Sequence, residues 1–247
     1  MIRTTNLCKI LSFVLGSLCL TSYANESITL KVALIAPERP PYFFVSKEGQ
    51  SPSGLYIDIL EKITQNLPVK LEYHFLPQAR IRMYMENGSV DIEPGIDSSW
   101  RMSPNEVKQS IYTIPFMHSY EAYAYLGGKK ENINTSKGVV CGINGFNIPE
   151  NFNRSNTQLV TTEFQLLSMI VKKRCDFAVA PIDVINYWNT KNNSKINYGD
   201  VISRYQLRFR LNKRHQNILQ TLNNNIRALQ AGKELETMKR KYIPQSG

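Results

Sequence analysis

The chain switches between short, continuous apolar runs and longer stretches in which apolar residues return every third or fourth position. ITLKVALIA (Ile28 to Ala36) is rich in β-branched residues and largely apolar, the pattern of a buried strand. It runs into PERPPYFF, where three prolines force an irregular loop that ends in aromatics. In SPSGLYIDILEKITQNLP, residues Tyr56, Ile59, Leu60, Ile63 and Leu67 fall at helical spacing, and Pro68 stops the helix. VKLEYHFL predicts a second strand, PQARIRMYMENG a short helix ended by Asn87-Gly88, and NGSVDIEPGI a third strand. That order is the signature of a parallel sheet covered by helices.

The same order then starts again. GVVCGI (Gly138 to Ile143) and TQLVTT predict strands, and CDFAVAP a third. Between them, TTEFQLLSMIVKKR predicts a helix, with Thr162 and Gln165 spaced as a capping box and Phe164, Leu167 and Val171 on one face. YEAYAYLGG joins the two halves, and Tyr120, Tyr123 and Tyr125 on it turn one face of the crossing towards the hinge. YQLRFRL brings the chain back, its Tyr205, Leu207, Phe209 and Leu211 alternating strictly with polar residues. Two helices close the chain, with Ile218, Leu219, Leu222, Ile226 and Leu229 on the first, Leu235, Met238 and Tyr242 on the second, and Gly232 between them.

The expected architecture is α/β with two lobes, each a mainly parallel sheet flanked by helices, joined by two hinge crossings. Residues 25–122 with 204–247 make lobe 1, and 123–203 make lobe 2. Ligands of open parallel sheets sit beyond the carboxyl ends of the strands, and junctions between units favour pockets. The cleft is therefore expected between PERPPYF, DIEPGIDSSWR, CGINGF and APID.

The first 24 residues stand outside this pattern. Arg3 and Lys9 mark a basic start, ILSFVLGSLCL is an apolar run of signal-peptide length, and Ser22 and Ala24 fit a cleavage site before Asn25. The run is too short to span a bilayer. An exported protein is expected, with the signal peptide removed near Ala24. Its loss takes two of the ten net positive charges and leaves +8 on 223 residues. The densest basic clusters, at Lys172 and Lys239, are short and close helix ends, where cations favour the helix dipole. They read as solvated faces, so nucleic acid is not an expected partner.

Cys141 and Cys175 are the cysteines left after cleavage. An oxidising compartment permits a disulfide. Placement in neighbouring parallel strands, one near a strand end and one near a strand start, would hold them too far apart, so buried free thiols are expected. No CxxC occurs, and His74, His118 and His215 are scattered, so neither metal nor cofactor is expected.

The chain resembles the bacterial extracellular solute-binding proteins of family 3, which have the type II periplasmic binding protein fold. The resemblance rests on PPYFFVSKEGQSPSGLYIDIL, NGSVDIEPGIDSSWR, YTIPFMHSYEAYAYL, KKRCDFAVAP and the late YIP, five short blocks in the family's order. It implies a hinged clamshell in the periplasm that binds a small molecule, most simply as a monomer serving an inner-membrane ABC permease. Two alternatives of the same fold are a ligand sensor for a membrane signalling protein and a cyclohexadienyl-dehydratase-like lyase. A lyase needs a general acid or base. Glu93 and Asp97 are the available carboxylates, and neither has an evident partner, so an enzyme is not expected.

The resemblance also implies roles. Arg101 falls on the arginine that clamps a ligand carboxylate, a task suited to the paired donors of a guanidinium. Ser98 and Asn144 fall on positions that donate to ligand oxygens. Gln78 stands where an aromatic ring stacks on the ligand, Arg80 is a candidate second cation, and Tyr42 is the aromatic candidate of the PPYFF loop. The aspartate that holds an α-ammonium is replaced by Pro181, with Asp183 as a possible substitute two residues on. A small polar or anionic, carboxylate-bearing solute is the expected ligand: a standard amino acid is a poor fit, whereas an organic anion, a modified amino acid or a peptide-like fragment suits the surviving groups. Asp58 and Asp176 are expected to be structural.

Overall fold

The computed structural model describes residues 27–46, 50–127, 138–144, 146 and 156–243. The expected signal peptide lies outside them. The strands are β1 (Ile28–Ile35), β2 (Val69–Leu76), β3 (Ile92–Ile96), β4 (Ser110–Tyr112), β5 (Met117–Leu126), β6 (Val140–Ile143), β7 (Thr157–Val160), β8 (Phe177–Pro181) and β9 (Ile196–Asn212). The helices are α1 (Leu55–Thr64), α2 (Gln78–Asn87), α3 (Pro104–Gln109), α4 (Glu163–Val171), α5 (Ile182–Asn192), α6 (Gln216–Ala231) and α7 (Glu234–Tyr242).

The strands follow the order β2-β1-β3-β9-β5-β8-β6-β7, with β4 also on β9. Parallel pairs stand at both ends, β2 and β3 on β1, and β7 and β8 on β6. Antiparallel β9 and β5 link the two halves: β9 pairs with β3 and β4 from Arg208 onward and with β5 over Ile196 to Leu207. A 17-residue strand and its partner thus cross between two α/β lobes, which makes the two-lobed clamshell.

Each lobe buries its helices against its sheet. Leu55, Ile59, Leu60 and Ile63 of α1 are fully buried beside Leu30, Val32 and Leu34 of β1, and Leu222 and Ile226 of α6 complete the same core. In lobe 2 the cap of α4 forms as its sequence predicts, Thr162 Oγ1 accepting from the Gln165 amide at 3.1 Å. The buried face differs from expectation. Leu166, Leu167 and Ile170 face the core, whereas Phe164 is half-buried and Val171 exposed. Phe164 instead meets Tyr187 and Trp188 of α5, with ring centroids 6.0 Å and 5.1 Å away.

The expectation of free thiols is overturned. Cys141 and Cys175 form a disulfide with their Cα atoms 5.7 Å apart. Cys175 lies ahead of β8, in the turn that leaves α4, where its amide donates to the carbonyl of Met169. It is therefore free of the parallel register, in which Cys141 faces Ala178. The two aspartates read as structural hold backbone or chain ends. Asp176 accepts from the Val139 amide at 2.7 Å, and Asp58 from Lys241 Nζ at 2.8 Å and the Tyr242 hydroxyl at 3.0 Å.

One glycine shapes the approach to the cleft. Gly95 sits in β3 with φ 71, a left-handed conformation that favours glycine. A Cβ there would run into the ring of Tyr56. The register between β3 and β9 shifts at this point, so the chain leaves the sheet in the turn that carries Trp100 and Arg101.

Candidate ligand-binding cleft

A cavity of about 100 Å³ lies between the lobes at the hinge. Lobe 1 supplies Ile35 and Ile96 from strand ends, Arg39 from the proline-rich loop, Gln78 and Arg82 one turn apart on α2, and Trp100 and Arg101 beyond β3. The crossings supply Glu121 of β5 and Tyr205 of β9, and lobe 2 supplies Phe146. Strand ends do line the cleft, apart from the APID segment, which does not reach this cavity.

Arg101 is buried in the cavity wall, yet most of its donors are already committed. Its Nη2 and Nε donate to the two oxygens of Glu93 at 2.6 Å and 3.2 Å, and Nη1 to the Trp100 carbonyl at 3.1 Å. Glu93 in turn accepts from Nη1 of Arg210, its cross-strand partner on β9, at 2.9 Å. Arg210 is fully buried. Glu106, also fully buried, is the second carboxylate of this network. It accepts from Arg82 Nη2 at 2.6 Å, and its other oxygen lies 3.5 Å from Arg210 Nη1 and 3.7 Å from Arg101 Nε. Ser103 explains its placement: Ser103 caps α3 by accepting from the Glu106 amide and donates its hydroxyl to Glu106 Oε2 at 2.9 Å. This S-x-x-E signature was visible in SPNE and not recognised as a site feature.

A second charged group spans the cleft. Arg39 of lobe 1 donates through Nε to Glu163 Oε1, the first residue of α4 in lobe 2, at 2.6 Å. The guanidinium also lies over the rings of Tyr42 at 5.3 Å and Phe146 at 5.6 Å, one from each lobe. Glu121 lines the same cavity without a hydrogen-bond or ion-pair partner among the described residues. Burial pushes its carboxyl above the usual range, Arg39 opposes that shift, and Glu163 adds to it. The side-chain oxygen of Gln78 is buried in the wall, and nothing among the described residues donates to it.

Of the residues proposed from sequence, Arg101 and Gln78 reach the cavity. Arg80 points to solvent, and Arg82, four residues from Gln78 on the same helix face, takes the place expected of it. Tyr42 is fully buried outside the cavity, stacked on Tyr56 at 4.6 Å beneath Arg39. Ser98 and Asn144 are exposed and do not line it. Asp183 is half-buried in the first turn of α5, and burial pushes its carboxyl up to about 6. The crossing face is marked by Glu121 rather than by its tyrosines: Tyr120 is exposed, and Tyr123 packs on Phe177. Glu93 is held by two guanidiniums, and Asp97 caps the 98–100 turn and accepts from the Gln206 amide at 2.7 Å. Burial raises Asp97, but the bonds from Gln206 and Ser99 outweigh it and hold the carboxyl low.

A two-lobed α/β clamshell with a cavity between its lobes is the fold of the type II periplasmic binding proteins. The chain belongs to the bacterial extracellular solute-binding proteins, family 3, whose profile matches residues 30–245. Among solved structures the fold is similar to the GluR0 ligand-binding core in complex with L-glutamate, with TM-score 0.73 and 14% identity over 88% of this chain and 99% of that one. It is similar to a histidine kinase sensor domain with similarity to periplasmic binding proteins, at TM-score 0.69 and 16% identity over 89% and 97%. It is also similar to an arginine transport system periplasmic binding protein from Legionella pneumophila, at TM-score 0.67 and 14% identity over 88% and 100%. At such identities the likeness is one of fold. No protein of curated function matches the sequence. No helix among the described residues is long and apolar enough to cross a membrane.

Proposed function

We propose that this protein is a periplasmic binding protein that captures a small, carboxylate-bearing solute between its lobes and delivers it to an inner-membrane ABC importer. The supporting observation is the cavity wall, in which Arg39 and Arg82 each keep guanidinium N–H groups beyond those bound to Glu163 and Glu106. Planar, paired donors of this kind suit a carboxylate. Arg101, with its fork on Glu93, contributes mainly positive potential and holds the wall in place. Closure brings Phe146 and Glu163 of lobe 2 onto Arg39, so a bound solute is enclosed by both lobes and selects the closed state. The signal-peptide pattern of the first 24 residues supports export to the periplasm.

A thermal-shift screen of the chain from Asn25 with amino acids, small carboxylates, sugars and oligopeptides tests this reading. A ligand at about 100 times its Kd should add about 2.7 kcal/mol, or roughly 5–10 °C for a chain of this length. Arg82→Gln should cut the shift given by carboxylates. Shifts from sugars alone would reject the carboxylate reading. The histidine kinase sensor domain of similar fold favours a second destination for the same captured solute, a membrane signalling protein. Crosslinking of the liganded protein in its native membrane to a permease or to a kinase separates the two.

A further inference from the structure

The charges around the cavity are unbalanced in opposite senses at its two ends. In lobe 1, the three guanidiniums of Arg82, Arg101 and Arg210 face two carboxylates, Glu93 and Glu106, leaving one positive charge over. Across the cleft, Arg39 faces Glu163 at 2.6 Å, and Glu121 stands beside that pair with no cation of its own among the described residues, leaving one negative charge over among them. Among the described residues, Nη2 of Arg210 is a buried donor without an acceptor behind the first end, and the Gln78 oxygen, one turn from Arg82 on α2, is a buried acceptor without a donor. Glu106 Oε1 also lacks a hydrogen bond, but it lies within 3.7 Å of two guanidiniums and is neutralised in place.

A half-buried carboxylate without a counter-charge is costly unless it is protonated or meets a cation. Glu121 is also rigidly placed. Its backbone pairs with Pro181 of β8 on one side and Ser203 of β9 on the other, within the crossing that both lobes share. We infer that Glu121 is a specificity-determining residue of the cleft, holding a cationic nitrogen of the solute. The solute's acid group then lies towards Arg82, whose remaining N–H groups are those proposed to receive it. This rests on the carboxylate-capture reading and adds to it a second group on the same solute. The site is preformed on the hinge strand, so it engages the cation before the lobes close.

The test uses isothermal titration with the twenty amino acids as probes, pairing each binder with its 2-hydroxy acid, which keeps the carboxylate and replaces the ammonium by a neutral hydroxyl. The expected result is that the amino acid binds about 10- to 100-fold more tightly than its hydroxy acid, as a charged hydrogen bond implies. Glu121→Gln should abolish that preference and leave the hydroxy acid within about threefold of its original affinity. Glu121→Asp should keep part of it. A preference that survives E121Q, or equal weakening of both ligands, would overturn the assignment, the second outcome marking a structural role. If E121Q does not fold, wild-type protein that binds both ligands of a pair equally would overturn it as well, and a preference restored by E121D would uphold it. Carboxylates that bind where no amino acid does would reject the cation site alone. Silence from every carboxylate, zwitterionic or not, would reject the capture reading together with it.

Discussion

The two charged ends of the cleft are built on opposite plans. The network of Arg82, Glu93, Arg101, Glu106 and Arg210 comes from one lobe, and its members other than Arg82 are almost wholly buried. It is present whether the lobes are open or closed. The Arg39–Glu163 pair joins residues 124 apart in sequence, one in each lobe, and exists only when they meet. Burying an ion pair costs desolvation that Coulomb attraction offsets only with good geometry and further hydrogen bonds. The first network meets that condition inside the fold. The second can escape it by opening and rehydrating both charges. One end therefore fixes the wall of the site, and the other reports whether the clamshell is shut.

The sharpest way to break this contrast is Glu93→Gln. It strips the carboxylate from Arg101 and Arg210, both almost wholly buried, and urea unfolding should show a loss of about 3–5 kcal/mol. A loss below about 1 kcal/mol would mean that the lobe 1 network is as dispensable as a surface pair. Next in size is the disulfide of lobe 2. Replacing Cys141 and Cys175 with serine frees a loop of sequence separation 34 and should cost about 2–4 kcal/mol. Hydrogen exchange should localise that loss to lobe 2 and leave the lobe 1 network protected.

Asp183 gives a smaller effect with a definite sign. Burial pushes its carboxyl up to about 6, above the ordinary value of 3.8, so the folded protein binds this proton more tightly than the unfolded chain. Stability from this group is thus full below about pH 4 and is lost as pH rises through about 6. Asp183→Asn should stabilise by about 1–2 kcal/mol at pH 7.5, discounted for its partial exposure, and change little at pH 4. Thermal melts at the two pH values check it. The smallest cost to stability belongs to Glu163→Gln. Opening lets Arg39 rehydrate, so unfolding should shift by less than about 1 kcal/mol, while small-angle scattering shows a larger radius of gyration. An unchanged radius would show that the pair does not hold the lobes together.

Much of the framework could be read from the chain. Periodicity gave the strand and helix order, and Asn87-Gly88 ended α2 where expected, with Gly88 at φ 77. The site was legible only in part. Arg101 and Gln78 were singled out through the resemblance to the family, and both reach the cavity wall. The partner of Arg101 was not foreseen, because Glu93 is committed by Arg210 from the far end of the chain, 117 residues away. Arg80 and Arg82 are equivalent in composition, and only the packing of α2 separates the solvent face from the cleft face. Tyr42 sits in an aromatic loop that suits a cleft, but its ring finds Tyr56 and goes inside. At Pro181 the aspartate implied by the resemblance is absent, with Asp183 as its expected substitute, while Glu121, the cross-strand partner of Pro181, lines the cavity.

The sequence by itself determined the two α/β units and their crossings, and its five short blocks carried the resemblance to a family. The units and crossings follow from local periodicity and turn chemistry, which act over a few residues and need no knowledge of distant neighbours. Only the tertiary structure decided which charges are spent on each other and which remain for a ligand. That outcome depends on side chains from β3, α2, α3, β5, α4 and β9 meeting within a few ångströms in a site shielded from water, where a single unpaired carboxylate or guanidinium carries far more weight than it does on an exposed surface.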